Sequence, residues 1–434
     1  MRLLSLVAAA SAAALGLVAL PALAQTAAPT VDKPVTITFY DYNLASAGNG
    51  ADATKKLISE FEAANPNVKV NGVGVGSADF SARIQADIAA RRPIDLIQLV
   101  FSDLDYAVHN YGAQALEDMI PADELKADFA GMSPNGLKLG VMDGKTYGLA
   151  FTFSTPVLFY NADLFKAAGL DPSKPPATWA DLKTDALAIQ QKTGKTGFTS
   201  GIYGPTAGDW LFQGVIRSNG GEVISRDRKT LAFASPEAIA AVQTMRDLHD
   251  AGVMPEMLDI NAQMEGMASG NVGMYLQTSA IQAFLVKGAT GKFDLRASTM
   301  PAFGDKPVRP NNSGSALVIV TADPLKQRAA WELMKFLTSK HGYTVITSEI
   351  GYLPLRTDIV NDPAYLGDWV KAHPLVEPNL KQLSVLEPWD PMPGPNYRQI
   401  AKLMMDAAET ATFSNVDVAG TLKSAQDQAQ ALMP

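Results

Sequence analysis

The residue types that most often carry chemistry are few and scattered in this sequence. Cysteine is absent, which excludes disulfides, thiolate nucleophiles, iron–sulfur clusters and zinc–thiolate sites. The histidines are far apart along the chain and form no HExxH-type pair of metal ligands. We therefore expect no metal site and no cofactor, and a function carried by oxygen, nitrogen and aromatic groups. The histidines are His109, His249, His341 and His373.

Three short motifs match catalytic signatures only in part. The glycine-rich stretch Gly72–Ser77 has neither the third glycine of a dinucleotide loop nor a Walker lysine. Lys192-Thr193-Gly194 falls at the end of a predicted helix and has no S-D-N element beside it. Gly266–Gly270 contains Ser269 but not the G-x-S-x-G order. The sequence thus assembles no nucleophile with a base and an orienting residue, and we expect no enzyme and no catalytic residue.

An aromatic residue beside small polar residues recurs in loops that follow predicted strands. In open α/β sheets ligands bind beyond the carboxyl ends of the strands. Aromatic faces pack against the C–H faces of a polyol, while hydroxyl, amide and carboxylate groups bind its hydroxyls. The recurrence therefore indicates a polyol-binding site. Its members are Tyr40-Asp41-Tyr42, Phe101-Ser102-Asp103, Ser154-Thr155, Asp209-Trp210, Asn312-Ser313-Gly314-Ser315 and Trp389-Asp390.

The elements that must position these loops alternate between strand and helix. Residues 35–40 alternate with period two and predict a strand, and Val68–Val70 and Asp95–Phe101 predict the next two. Apolar positions of helical spacing separate them, beginning near Leu57 and Ser81. Strands that alternate with helices predict an α/β fold with a mostly parallel sheet covered on both faces.

The same alternation restarts after residue 155 and continues toward the C-terminus. Ser235-Pro236-Glu237 predicts a helix start, because serine caps, proline suits the first turn and the acid meets the positive end of the dipole. Asp323-Pro324 predicts another start, and two helices are expected near 397–413 and 418–432. A length of 434 residues fits two large lobes.

Composition and charge limit the compartment and the partners. The net charge is −8 and no Lys/Arg cluster occurs, so neither nucleic acid nor an anionic membrane is an expected partner. Arg2, the apolar stretch Leu3–Leu20 and Ala22-Leu23-Ala24 predict a signal peptide over residues 1–24 and export to a periplasm. A membrane anchor is the alternative, since about 18 apolar residues approach the spanning length.

A longer stretch carries a resemblance to a known family. Ser154–Pro172, which reads STPVLFYNADLFKAAGLDP, is followed by Thr178–Leu182, TWADL. Further marks are Phe61–Pro66, Gly351–Pro354 and Asn396–Ile400. Together these closely resemble the extracellular solute-binding proteins of sugar-type ABC importers (family 1), and within them most closely the branch of the glycerol-3-phosphate-binding proteins.

The resemblance implies a two-lobed periplasmic-binding-protein fold (type II) that closes on its ligand like a hinged trap. It implies three crossings between the lobes, which we place near 149–156, 298–303 and 349–355. We expect lobe 1 to comprise residues 33–150 and 303–350, and lobe 2 residues 155–298 and 355–434.

The resemblance and the aromatic–polar recurrence together give the expected ligand-binding residues. Family positions that line the cleft match Phe80, Thr278-Ser279 and Tyr352, among others. The complete expected set is Tyr40, Asp41, Phe80, Phe101, Asp103, Ser154, Trp210, Thr278, Ser279, Gly314, Ser315, Tyr352, Trp389 and Asp390.

Two departures from the glycerol-phosphate branch bear on the ligand. Phe101 stands where that branch has a glutamate, and Pro393 stands where it has the arginine expected to hold the phosphate. Without a bidentate cation a phosphate loses its strongest contact, although Arg356 or Arg398 could supply one. We expect a monomeric receptor that delivers a sugar or polyol to the permease of an ABC importer. The alternative ligand is glycerol 3-phosphate or a glycerophosphodiester.

A hypothesis from another class is a secreted polysaccharide hydrolase. Asp41, Asp103 and Asp390 could supply the two carboxylates that such an enzyme needs.

Overall fold

The computed structural model describes residues 31–46, 49–76, 79–204 and 208–434. The predicted signal peptide lies outside these residues. In the part of the chain that is described, no helix combines the length and the apolar character needed to cross a bilayer.

Strands and helices alternate through most of the described chain. The strands are β1 (Val35–Asp41), β2 (Val68–Gly74), β3 (Leu96–Val100), β4 (Val141–Met142), β5 (Lys145–Thr146), β6 (Gly148–Ser154), β7 (Pro156–Asn161), β8 (Thr196–Ser200), β9 (Val272–Thr278), β10 (Leu295–Ser298) and β11 (Ser313–Ile319). The helices are α1 (Asn49–Ala64), α2 (Phe80–Ala89), α3 (Leu104–Asn110), α4 (Leu116–Met119), α5 (Ala122–Phe129), α6 (Pro134–Leu137), α7 (Ala162–Ala168), α8 (Trp179–Thr193), α9 (Trp210–Ser218), α10 (Pro236–Asp250), α11 (Ile260–Ala268), α12 (Gln282–Ala289), α13 (Pro324–Leu337), α14 (Lys340–Val345), α15 (Gly367–Ala372), α16 (Glu377–Gln382), α17 (Tyr397–Phe413) and α18 (Val418–Gln430).

Two larger sheets form the centres of two lobes. The first has the order β2-β1-β3-β11-β6, in which β1 is parallel to β2 and β3 while β11 is antiparallel to both of its neighbours. The second has the order β10-β7-β9-β8, in which only β8 and β9 are parallel. The βαβ start predicted for residues 35–101 is confirmed, and the antiparallel strands arise where the chain crosses between the sheets.

The predicted helix starts follow from their capping residues. The Ser235 hydroxyl accepts the backbone N–H of Ala238 at the start of α10, and the Asp323 carboxylate caps α13. Thr178 and Asp181 form a reciprocal capping box at α8. Each cap satisfies N–H groups that a helix start leaves without a partner.

Two crossings between the lobes lie side by side. The first is Thr155, between β6 in the first sheet and β7 in the second. Ser313 of β11 pairs with Ser154 of β6, so the chain also returns to the first sheet at this point. We therefore propose that the second crossing lies at 312–313.

The second crossing was expected near 298–303, which is too early. Residues after β10 stay on the second lobe: Ala302 bridges to Thr178, and the Phe303 ring packs on Trp179 at a centroid distance of 5.8 Å. Farther along, Arg309 pairs with Glu222. These contacts hold the segment before residue 312 against lobe 2.

The expected third crossing near 349–355 also differs from the observed contacts. Leu353 donates its backbone N–H to the carbonyl of Phe153 in β6, and Thr357 donates to Gly131. Arg356 pairs with Asp128, so this segment still packs on the first lobe. Gln382 in α16 contacts the backbone of Pro156 at the start of β7. We propose that the third crossing lies between residues 359 and 379.

Gly314 is required where β11 begins, and this gives a stability prediction. Its φ is +105°, and a Cβ there would lie 2.0 Å from the Thr152 carbonyl oxygen. Gly144 also has a positive φ, but a Cβ there meets nothing within 4 Å. Gly144→Ala should cost about 1–2 kcal/mol of backbone strain, and Gly314→Ala should cost about 1–3 kcal/mol more. Urea unfolding measures both, and equal losses would contradict the close approach.

Candidate ligand-binding site

A cluster of buried hydroxyls lies where β1, β3, β6 and β11 end together. The Tyr42 hydroxyl is 2.7 Å from Thr152 Oγ1 and 3.1 Å from Ser315 Oγ. Thr152 and Ser315 are themselves 2.7 Å apart. Gln98 donates its amide to Thr152 and accepts the backbone N–H of Tyr42. This network fixes the loop after β1 against the crossing strands.

Tyr42, and not Tyr40, is the tyrosine that reaches this region. The Tyr40 hydroxyl donates to Asp87 of α2 at 2.7 Å, whereas Tyr42 lies just beyond the end of β1 at Asp41, where the period-two alternation of a strand no longer sets the direction of a side chain. Asp87 also pairs with Arg83, so Tyr40 belongs to the interior of the first lobe. The contact of Tyr40 with a ligand stays a prediction, and we propose that Tyr42 is the ligand-side tyrosine of this loop. The ring of Phe80 contacts Tyr42 edge-on at 6.4 Å.

Tyr352 lies close to the same cluster. Burial raises the pKa of its hydroxyl, whereas a hydrogen bond with Tyr42 lowers it in part. Burial likewise raises the pKa of Tyr42 well above its usual value. Both phenols are therefore neutral at physiological pH and can each donate or accept a hydrogen bond.

Asp41 is fully buried and has one carboxylate oxygen without a partner. Its Oδ1 accepts the backbone N–H of Leu44 at 2.8 Å, while Oδ2 has no hydrogen-bond partner within the described ranges. Burial raises the pKa of this carboxyl to about 7. A buried acceptor left unpaired costs about 1–3 kcal/mol, so Oδ2 favours a partner that brings a hydrogen-bond donor.

Further buried polar atoms near the crossings have no partner among the described residues, and three of them bear on the site. They are Asn43 Nδ2, Ser279 Oγ and Asn312 Nδ2. Ser279 donates its backbone N–H to the carbonyl of Thr155, and Asn312 directly precedes Ser313 of β11. Asn43 follows Tyr42 beside Gln98. These atoms come from both lobes and from the second crossing.

A pair of hydroxyls and a tryptophan make further contacts at the crossings. Ser154 Oγ and Thr278 Oγ1 lie 2.5 Å apart, which joins the end of β6 to the end of β9. The backbone N–H of Trp389 donates to Asn312 Oδ1 at 2.7 Å. Its indole N–H donates to the buried carboxylate of Asp209 at 2.8 Å. Trp389 is therefore held in one orientation beside the crossing.

Trp210 lies near Trp389 at the start of α9. A Cβ placed on Gly208 would be 3.3 Å from the Trp210 ring and 3.6 Å from the Trp389 ring, so both tryptophans border one short backbone segment. Trp210 is 4% exposed. The two rings form an apolar boundary on the second-lobe side.

Phe101, Asp103 and Asp390 are already engaged within the protein. Phe101 is 2% exposed. Asp103 accepts hydrogen bonds from the hydroxyls of Ser81 and Tyr397, and Asp390 pairs with Arg217. The geometry thus gives these residues protein partners, and their contact with a ligand remains a prediction.

The arginines proposed as phosphate ligands also have partners. Arg356 is 8% exposed and donates to Thr338, Ala130 and Asp128 in the first lobe. Arg398 pairs with Asp103.

A cavity of about 510 Å³ between the lobes borders Trp389 and Asp390. Its first-lobe wall is mostly apolar, with Leu139 and Met142 beside Asp143, and its second-lobe wall includes Arg217 and Glu387. The carboxylates and guanidinium groups of the second wall are largely paired with one another. This cavity offers an apolar face opposite a hydrogen-bonding face.

The aromatic–polar recurrence contained Tyr42 and Asn312, but the expected set of ligand-binding residues left them out. Sequence reasoning did not select Asn43, Gln98 and Thr152 at all. Gln98 carries a signal that could have been used, because it is a single amide within the otherwise apolar strand 96–100. A buried polar side chain needs a partner, and Gln98 finds it in Thr152. Thr152 and Asn43 carry no comparable signal.

Asp41 gives a prediction for the pH dependence of stability. Its pKa is higher in the folded chain than in the unfolded chain, so its contribution is complete below about pH 4 and is lost as the pH rises through about 7. Relative to Asp41→Asn, the ligand-free wild type should lose up to about 4 kcal/mol over that interval. Urea unfolding at several pH values measures the difference.

The matched control is Asp427→Asn, since Asp427 is exposed on α18. This variant should show the same pH dependence of the free energy of unfolding as the wild type. If Asp41→Asn also leaves the profile unchanged, Asp41 is hydrated and does not serve as a buried acceptor.

Comparisons with known proteins agree with this architecture. The chain is 26% identical over 336 residues to the sn-glycerol-3-phosphate-binding periplasmic protein UgpB of Escherichia coli K12, covering 74% of each chain. It is 26% identical over 404 residues to a binding protein of Brucella abortus, covering 92% of this chain and 93% of the relative.

Solved structures show the same fold. The cyclic alpha-maltosyl-1,6-maltose binding protein of Arthrobacter globiformis superposes with a TM-score of 0.80 at 23% identity, covering 92% and 99% of the two chains. UgpB of Mycobacterium tuberculosis in complex with glycerophosphocholine superposes with a TM-score of 0.78 at 21% identity, covering 92% and 98%. The predicted two-lobed α/β periplasmic-binding-protein fold is confirmed.

A family model described as bacterial extracellular solute-binding protein matches residues 56–378. This match spans most of both lobes and describes binding proteins rather than enzymes, so the hydrolase hypothesis is not supported. The chain belongs to the bacterial extracellular solute-binding protein family.

Proposed function

We propose that this protein captures a neutral carbohydrate or polyol between its lobes and delivers it to the membrane permease of an ABC importer. The observation that carries the proposal is a group of buried polar atoms, from both lobes and the second crossing, that have no hydrogen-bond partner among the residues the structure describes. Their number and chemistry suit a ligand with several hydroxyls.

Each of these atoms can bind a hydroxyl group. A hydroxyl donates one hydrogen bond and accepts two. Asp41 Oδ2 would accept a ligand proton, while the side-chain amides of Asn43 and Asn312 would donate to ligand oxygens. Ser279 Oγ can do either. The aromatic rings of Tyr352 and Trp389 would pack against the C–H faces of the ligand.

The pairing of the arginines argues against an anionic ligand. Arg217 pairs with Asp390 and Glu222, and Arg398 pairs with Asp103. A phosphate that bound Arg217 or Arg398 would have to displace a carboxylate, and one that approached the buried carboxylates of Asp41 and Asp209 would meet negative charge. Both routes cost electrostatic energy, and a neutral polyol avoids them.

Closure of the lobes is the proposed mechanism of capture. The two adjacent crossings at Thr155 and at 312–313 form a narrow connection about which the lobes can rotate. A ligand that contacts both lobes binds the closed form more tightly than the open form, and so shifts the population toward the closed form. The permease would recognise the closed form.

A thermal-shift screen of neutral saccharides, polyols, glycerol 3-phosphate and glycerophosphocholine tests the ligand class. A ligand at 100 times its dissociation constant stabilises by about 2.7 kcal/mol. We expect a neutral saccharide or polyol to give the largest shift. Asn312→Ala and Ser279→Ala should each reduce that shift.

Ser424→Ala is the matched control, because Ser424 is exposed on α18. It should respond to the ligand as the wild type does. Stabilisation by the phosphate compounds alone would overturn the neutral-ligand proposal and support a glycerophosphate.

A further inference from the structure

A seam of charged contacts joins the lobes away from the crossings. On the first lobe, Asp103 ends the 3-10 turn after β3 and Asp105 lies in the first turn of α3. Both carboxylates are buried, with side-chain exposures of 5% and 7%. Their cationic partners, Arg398 and Arg228, come from the second lobe.

Asp103 is bound by the start of α17. The Tyr397 hydroxyl donates to Asp103 at 2.8 Å, and an Arg398 guanidinium nitrogen lies 3.1 Å away. The ring of Tyr397 also packs on Tyr106 of α3 at a centroid distance of 5.3 Å. Since α17 packs on α10 and α18, these contacts connect α3 to the body of the second lobe.

Asp105 is bound by a hairpin between α9 and α10. The bridge between Ile224 and Leu231 closes this hairpin, and Arg228 within it donates to Asp105 Oδ2 at 2.9 Å. The same guanidinium donates to the carbonyl of Pro391, which fixes its direction. The Leu231 N–H donates to Gln430 of α18, so the hairpin is part of lobe 2.

We propose that Asp103 and Asp105, with Arg398 and Arg228, are positioning residues that hold the lobes closed and thereby raise the affinity for ligand without touching it, a role that replaces the ligand contact predicted for Asp103. Opening would separate each carboxylate from its cation, whereas contacts within either lobe would persist. The apparent affinity of a ligand rises with the fraction of protein in the binding-competent form, so these pairs act on any ligand that requires closure.

This inference changes what salt dependence would mean for the receptor. Ion pairs at a seam are screened as ionic strength rises, since the Debye length falls from about 10 Å at 0.1 M to 3 Å at 1 M. Closure should therefore weaken with salt even if the ligand carries no charge. The inference concerns ion pairs between the lobes and not contacts with the ligand, so its failure would leave the proposed ligand class unaffected.

The absence of native cysteine allows a direct distance measurement. Cysteines introduced at Asn110 and Gln428, which are exposed on α3 and α18, carry spin labels on opposite lobes. Double electron–electron resonance on the full ligand-free chain then reports the distribution of inter-lobe distances. Arg228→Gln/Arg398→Gln removes both ion pairs and should raise the open-to-closed ratio by about tenfold. It should also abolish most of the response to salt.

The control is Arg296→Gln, which removes the same charge from a pair with Asp294 inside the second lobe. It should leave the distance distribution unchanged. Asp105→Lys alone should open the lobes, and adding Arg228→Glu should close them again by reversing the pair. Circular dichroism and thermal melts verify that every variant is folded. Unchanged distances in the double variant, or no restoration by the reversed pair, would overturn the proposal.

Discussion

The antiparallel pairing of β6 with β11 is the constraint on which the rest of the structure depends. Because Ser154 lies opposite Ser313 in this pairing, the chain leaves the first sheet and returns to it at one place. The hydroxyl contact between Ser154 and Thr278 then ties that place to the second sheet. Gly314 allows the strands to approach closely. The two lobes are thereby joined at the place where we propose the floor of the ligand site.

The unpartnered polar atoms at this floor have an energetic meaning. A folded protein usually pairs its buried polar groups, and the Tyr42–Thr152–Ser315 cluster beside them is fully paired. Asp41 Oδ2 and Asn312 Nδ2 differ from that cluster in having no partner among the described residues. Under the proposed function, such atoms would reduce stability in the absence of ligand and gain hydrogen bonds when a polyol binds, so that the affinity includes the desolvation cost they no longer carry.

Much of the fold could be predicted from the sequence because its signals are local. The caps at Ser235 and Asp323 and the period-two strand at residues 35–40 depend only on neighbouring residues, and the structure contains the expected elements. The family resemblance of residues 154–182 supplied the two-lobed arrangement that local patterns do not encode. Features that depend on contacts between residues distant in the sequence were harder to predict. The position of the second crossing depends on contacts such as that of Phe303 with Trp179, which the spacing of residues does not reveal.

In the candidate site, too, local sequence patterns predict some residues and miss those that depend on distant contacts. The loop after β1 remains the predicted site, but the choice between Tyr40 and Tyr42 depends on where the strand ends, because Tyr42 lies beyond its last residue, Asp41, and its direction does not follow from the period-two pattern. Asp103 was expected to bind ligand because it follows a strand beside an aromatic residue. Its observed partners, Tyr397 and Arg398, are almost 300 residues away in the sequence, and no pattern within the chain predicts that pairing.

The central claim is that one ligand contacts both lobes at their crossing. Hydrogen–deuterium exchange, measured by mass spectrometry with the best-stabilising compound from the screen, tests it most directly. The account predicts simultaneous protection of segments around Tyr42, Ser279 and Asn312, which belong to different lobes and to the crossing. Protection confined to the segments of one lobe, or located away from all three, would contradict it.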